Sequence, residues 1–244
     1  IDSEGVNLVK MPNHPDPEVA AGPFMVWADR YGVLLPERFK GRVDMMFQGW
    51  PEETGVLKTD LAMAEHLDTW VKSKDNQTAL ISLFKSFLDC NTTEAVAKLL
   101  GWMVASHWKP LFQHTYGKFP MLHVFGPAGL GKTETTFTLM KMFYNAEEVK
   151  ATTPTSTPFA FLQLVAGSSS IPIALDEWKP HRMVPAVMEQ YKALLRDSYN
   201  GKTTQRGGGN RAKESFGALN KVTLSAPIVY ISEAAEMETA LVER

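Results

Sequence analysis

One segment constrains this chain more than any other. Gly126-Pro-Ala-Gly-Leu-Gly131-Lys132-Thr133 matches G-x-x-x-x-G-K-[ST] at every fixed position. Such a loop functions between a buried strand and a helix, and the flanking sequence supplies both. Met121 to Phe125 is a short apolar run bounded by Pro120 and Gly126, as a buried parallel strand should be. Thr133 to Tyr144 reads as a helix. The glycines let the backbone curl so that successive N–H groups face an anion. The helix that follows points its positive end at the same place. Gly126, Pro127, Ala128, Gly129, Leu130, Gly131, Lys132 and Thr133 are therefore the expected cradle for the phosphates of a nucleotide such as ATP. Lys132 is placed to reach the β- and γ-phosphates, and the Thr133 hydroxyl to ligate Mg2+.

The rest of residues 116–244 alternates strand and helix, which predicts an α/β domain with a mainly parallel sheet flanked by helices. Glu148 to Thr152 is a candidate strand. Thr157-Pro158 starts a helix running to Gly167, with Pro at the first helical position. Met183 to Tyr199 has helical spacing, and Pro227 to Ile231 is a further buried strand. Ile171-Pro-Ile-Ala-Leu-Asp176-Glu177 is an apolar strand that delivers two acids to the sheet's carboxyl edge, where ligands bind in such folds. Asp176 is expected to hold Mg2+, and Glu177 to orient and polarise an attacking water. An adjacent Glu separates this pattern from many P-loop kinases, which need no hydrolytic base.

Three further features admit two readings each. Ser232 ends the Pro227 to Ile231 strand, where a hydroxyl either sits beside a γ-phosphate as a sensor that helps place the water or caps a following helix. Tyr199 to Lys213 carries Lys202, Arg206, Arg211 and Lys213 around three consecutive glycines, with no apolar core residue. It is either a solvated loop or a loop or hairpin that tracks a phosphate backbone. Arg244, in Ala240-Leu-Val-Glu-Arg244, is either a helix-end arginine or a finger that reaches a neighbouring subunit's nucleotide.

Upstream, residues 1–55 are rich in Pro and Gly with weak periodicity, and read as irregular apart from a possible strand at Phe24 to Ala28. Residues 56–115 read as a small helical subdomain. Leu61, Met63, Leu67, Trp70 and Val71 repeat at helical steps, as do Leu80, Ile81, Phe84 and Leu88. Thr92 is a candidate cap for a third run through Val96, Leu99, Leu100, Met103 and Val104. These stripes are expected to be core. The net charge of −2 leaves any nucleic-acid contact to a local basic patch. Cys90 is the one cysteine, and His14, His66, His107, His114, His123 and His181 are scattered, so no structural metal is expected. No signal peptide or apolar run of membrane length is present in the sequence, so a cytoplasmic setting without membrane contact is expected. The first residue, Ile1, and the end at Arg244 suggest a piece of a longer protein.

The order of glycine loop, Asp-Glu pair, basic glycine-rich loop, polar-ended strand and Ala-Leu-x-x-Arg resembles phage and mobile-element replicative helicases. These are similar to the superfamily 3 helicases of small DNA viruses and to primase-associated helicase-like ATPases. Leu99 to Ser106 also resembles the helical segment that precedes the P-loop in such phage proteins. The likeness covers roughly residues 92–244. It implies a P-loop NTPase core of the AAA+/ASCE type and a hexameric ring with ATP and Mg2+ between subunits. It also implies a pore loop gripping single-stranded DNA, placed on Lys202, Arg206, Arg211 and Lys213, with sensor and finger roles for Ser232 and Arg244. A primase or polymerase module in the same longer protein is a further implied partner, and host cytoplasm the implied setting. The sequence departs from the pattern in having Ser232 where such helicases often have Asn, and in lacking a recognisable Lys-His hairpin tip. The family's fifth strand would have to come after Arg244. Rival readings are an AAA+-type protein remodeller or loader, and a small-molecule kinase.

Overall fold

The computed structural model describes residues 5–29, 32–43, 45, 72–144, 151–152, 157–207 and 219–235. The N-terminal stretch, expected to be irregular, holds a three-stranded antiparallel sheet. Its strands are β1 (Gly5–Val9), β2 (Phe24–Asp29) and β3 (Gly32–Leu34), in the order β1-β2-β3. The short helix α1 (Pro17–Ala20) lies between the first two and is capped by the Asp16 carboxylate. Val19, Phe24, Val26, Phe39 and Val43 form a separate small core here. Pro12, Pro15, Gly22 and Pro23 between β1 and β2, and the glycines that open β1 and β3, hid this sheet, and Phe24 to Ala28 is the part the sequence did reveal.

Three helices follow: α2 (Lys74–Leu88), α3 (Thr93–Ser106) and α4 (Lys109–Tyr116). The run at Leu61 to Val71 lies outside the described residues. α3 behaves as its periodicity predicts, burying Val96, Leu99, Trp102 and Met103. The Thr92 side chain makes no capping bond; the Asn91 side chain instead accepts from the Thr92 N–H at 2.7 Å. α2 departs from the expectation of a core stripe. None of its residues is buried, and Leu80, Ile81 and Leu83 are exposed. Its contact with the main core runs through Phe87, and Phe84 stands edge-on to Phe143. An amphipathic pattern shows which face a helix would bury, but not that a partner is there.

The main body is an all-parallel sheet built from β4 (Leu122–Phe125), β5 (Ala151–Thr152), β6 (Ile173–Leu175) and, late in the chain, Ile228–Ser232. The helices α5 (Lys132–Tyr144), α6 (Pro158–Ala166) and α7 (Pro185–Tyr199) connect its strands. Thr157 caps α6, its hydroxyl accepting from the Ala160 N–H at 3.2 Å. Between α7 and the last strand stands an antiparallel hairpin, β7 (Thr203–Gly207) and β8 (Leu219–Thr223). With Ile228–Ser232 as β9, the sheet order is β4-β9-β6-β5. β6 and β9 are interior and wholly buried, which is why both read as unbroken apolar runs. Trp178, Tyr191, Phe161 and Leu195 fill the space between the sheet and α6–α7. Among the described residues no helix is long and apolar enough to cross a membrane.

Candidate functional site

The carboxyl ends of β4, β6 and β9 lie side by side, because Phe125 pairs with Ser232 and Leu175 with Tyr230. Whatever follows each strand is delivered to one edge. After β4 comes the glycine loop. Gly129 and Gly131 take φ of 82° and 70°, values that a side chain at either position would strain. The Gly131 carbonyl then accepts from the Thr135 N–H at 2.8 Å and opens α5. Lys132 folds back over the loop, its ammonium donating to the Pro127 carbonyl at 2.8 Å. The loop is also tied to the helical region, since the Asn91 amide donates to the Leu130 carbonyl at 3.2 Å.

After β6 comes the acid pair. The Thr133 hydroxyl donates to Asp176 Oδ1 at 3.2 Å. The same oxygen accepts from the Glu177 backbone N–H at 2.8 Å. Glu177 is the one described non-glycine residue with positive φ, 54°, a conformation costing about 1 kcal/mol for a residue with a Cβ. This left-handed turn lets adjacent residues diverge. Asp176 faces Thr133, Glu177 is exposed, and Trp178 returns to the core. The Trp178 N–H holds the turn by donating to the Ile231 carbonyl at 2.8 Å.

β9 itself ends in Ser232, buried at the same edge. Its hydroxyl donates to the Ala234 carbonyl at 2.5 Å and lies 2.6 Å from His123 Nε2. His123 stacks on Tyr230, with ring centroids 4.2 Å apart. Next along the chain, Glu233 pairs with Lys179 at 3.1 Å. That hydrogen bond holds the Glu233 carboxyl below its usual range, helped by the fields of Arg182 and Lys132. His123, Lys179 and Glu233 were not singled out in the sequence. Their placement depends on β9 lying beside β4 and β6, and no local pattern announces strand order.

The basic segment forms a hairpin at its base. Lys202 precedes β7, its ammonium 3.9 Å from the Asp197 carboxylate, and Arg206 lies on β7 opposite Asn220. The Lys202 carbonyl accepts from the Leu224 N–H at 3.3 Å. Leu224 precedes β9, so the hairpin base stands toward the amino edge of the sheet, away from Asp176 and Ser232. Arg211, Lys213 and Arg244 lie outside the described residues.

The donor set at the carboxyl edge fits a Mg2+–nucleotide. A hydroxyl and a carboxylate converge to hydrogen-bonding distance, which is the oxygen chemistry a small hard cation prefers. A lysine and a glycine-lined loop at a helix N-terminus provide for phosphates. Among the described residues no group of three or more His, Cys, Asp or Glu is arranged to hold a metal by itself.

No protein-family model matches the chain, and no curated protein matches it. Nine chains of solved structures do. One is an SCCmec type IV Cch active helicase, matched with a TM-score of 0.52 over 96% of this chain, at 14% sequence identity. This chain spans 36% of that protein's length. At that identity the likeness is one of fold alone.

Proposed function

We propose that this chain is the Mg2+-dependent ATPase core of an oligomeric helicase or translocase that acts on single-stranded nucleic acid in replication of a phage or mobile element. The observation that carries the reading is the approach of Thr133 to Asp176, 3.2 Å between side-chain oxygens that are 43 positions apart in sequence. It brings the glycine loop and the acid pair to one point. Helicase likeness of fold supports the wider assignment.

In this reading Gly126 to Thr133 wrap the phosphates with backbone N–H groups, and Lys132 leaves the Pro127 carbonyl to meet the β- and γ-phosphates. Thr133 and Asp176 hold Mg2+, which neutralises phosphate charge when bound. Glu177, exposed beside Asp176, accepts a proton from the attacking water. Ser232 helps place that water. Arg244 completes a neighbouring subunit's site in a ring, a hexamer by the resemblance. Lys202, Arg206, Arg211 and Lys213 grip the nucleic-acid backbone through the hairpin. The setting is the cytoplasm of the host cell.

The test is phosphate release from ATP with and without single-stranded DNA, using Lys132→Ala as the blank. Stimulation by DNA is the expected result. Hydrolysis indifferent to DNA would sink the translocase and favour a protein remodeller. Phosphate appearing only with a small-molecule acceptor would indicate a kinase.

A further inference from the structure

The Ser232 hydroxyl has one hydrogen and two close polar neighbours. The Ala234 carbonyl oxygen, 2.5 Å away, can only accept. The hydrogen of Ser232 is therefore committed to it. His123 Nε2, at 2.6 Å, must then be the donor. The imidazole is fixed for that task by its surroundings. It stacks on Tyr230 at 4.2 Å and 14°, and its strand β4 pairs His123 directly with Tyr230 of β9. Phe125 lies at 5.1 Å on the same strand. With one bond donated and one accepted, Ser232 has a single lone pair left to offer. It can accept from a water but has no hydrogen for a phosphate oxygen.

We propose that His123 is the positioning residue of this site: its Nε2–H holds the Ser232 hydroxyl so that the serine presents a lone pair to the attacking water rather than a hydrogen to the γ-phosphate. This rests on the ATPase reading above, which by itself gives His123 no role. It also separates the two functions open to a polar group at a strand end. A serine that senses phosphate must donate; a serine that aligns water must accept.

Three variants of the full chain test this. His123→Phe keeps an aromatic ring against Tyr230 but removes the donor. His123→Gln keeps an N–H donor. Ser232→Ala removes the hydroxyl. Turnover is measured by phosphate release, and nucleotide affinity by direct titration with a fluorescent ATP analogue. His123→Phe and Ser232→Ala should each lower kcat by about tenfold or more, with affinity within about twofold, as for a group acting on the reacting water. The double variant should be no slower than the slower single, because both remove one unit. His123→Gln should recover part of the loss. Wild-type kcat in His123→Phe, or losses that multiply in the double variant, would overturn the proposal while leaving the ATPase reading intact. A wild type that binds no ATP and releases no phosphate would remove both. Should His123→Phe fail to fold, 15N spectra of selectively labelled histidine decide. The resonance lost in His123→Gln should report an Nε2–H, and an Nδ1–H tautomer there would refute the donor role.

Discussion

Lys109 sits in the first turn of α4, almost fully buried, with its amine donating to the Ala226 carbonyl at 2.6 Å. Burial pulls it from the ordinary 10.5 down to about 7. In the unfolded chain the amine recovers the higher value, so between the two the unfolded state binds more protons. Stability therefore rises with pH across that window, and the full cost of the buried charge is felt below it. From about pH 7 to about pH 9 the folded amine goes from half-charged to neutral while the unfolded one stays charged. At 1.36 kcal/mol per full proton per pH unit, less the half already released at the start, the gain is about 2 kcal/mol. Lys109→Met keeps a straight chain of similar volume and removes the titration. Ser198 still donates to the Ala226 carbonyl at 3.2 Å, so the acceptor is not orphaned. Urea unfolding of both proteins at the two pH values is the assay. The wild type should gain about 2 kcal/mol relative to the Met variant on going up. Two other described groups that burial shifts do not mask it: burial lowers His107 from 6.5 and raises Tyr191 from 10.0, both away from the window. A difference between the proteins that stays constant to about 0.5 kcal/mol would refute the buried-amine argument.

Glu177→Gln should retain ATP binding and lose turnover by about a hundredfold or more, measured by titration and phosphate release, since an amide cannot take the proton. Gly201→Ala should destabilise by about 2 kcal/mol in urea. The position has φ of +59° and a Cβ there would stand 2.8 Å from the Gln113 amide. Adding Gln113→Ala should recover the steric share and leave about 1 kcal/mol of backbone strain. Lys202→Ala with Arg206→Ala should weaken single-stranded DNA binding and lower the slope of log affinity against log salt by about one to two. An unchanged slope, by fluorescence anisotropy across a salt series, would move the nucleic-acid contact elsewhere.

Much of the core was legible because its signals are local. The glycine loop requires a strand before it and a helix after it, and both are there. β6 and β9 are buried on both faces, so their unbroken apolar runs need no partner to be recognised. Thr157-Pro158 carries its own cap. The N-terminal sheet was not legible in the same way. Its strands are short, and their pairing joins Gly5 to Ala28 and Val9 to Phe24 across a turn-rich stretch. Composition alone describes that stretch as loop. α2 shows the opposite failure: its apolar stripe was correctly periodic, but Leu80 and Ile81 of that stripe are exposed and none of it is buried.

At the site, residue types and spacing singled out Lys132, Thr133, Asp176 and Glu177, but only the sheet order explains why Thr133 and Asp176 meet. β9 is inserted between β4 and β6, and this has two consequences that no window of sequence contains. The Ile231 carbonyl becomes available to the Trp178 N–H, which pins the chain just past Glu177 and holds that residue in a left-handed turn. The two adjacent acids are thereby pointed differently, one toward Thr133 and one outward. The same insertion places Ser232 against His123, 109 positions away. The nearest-neighbour chemistry of the serine is then decided by a strand that was identified only as the one before the glycine loop. Motifs name the groups expected to contact a ligand. The groups that aim them come from whichever strands the topology sets beside them, and those become visible only when the order β4-β9-β6-β5 is known.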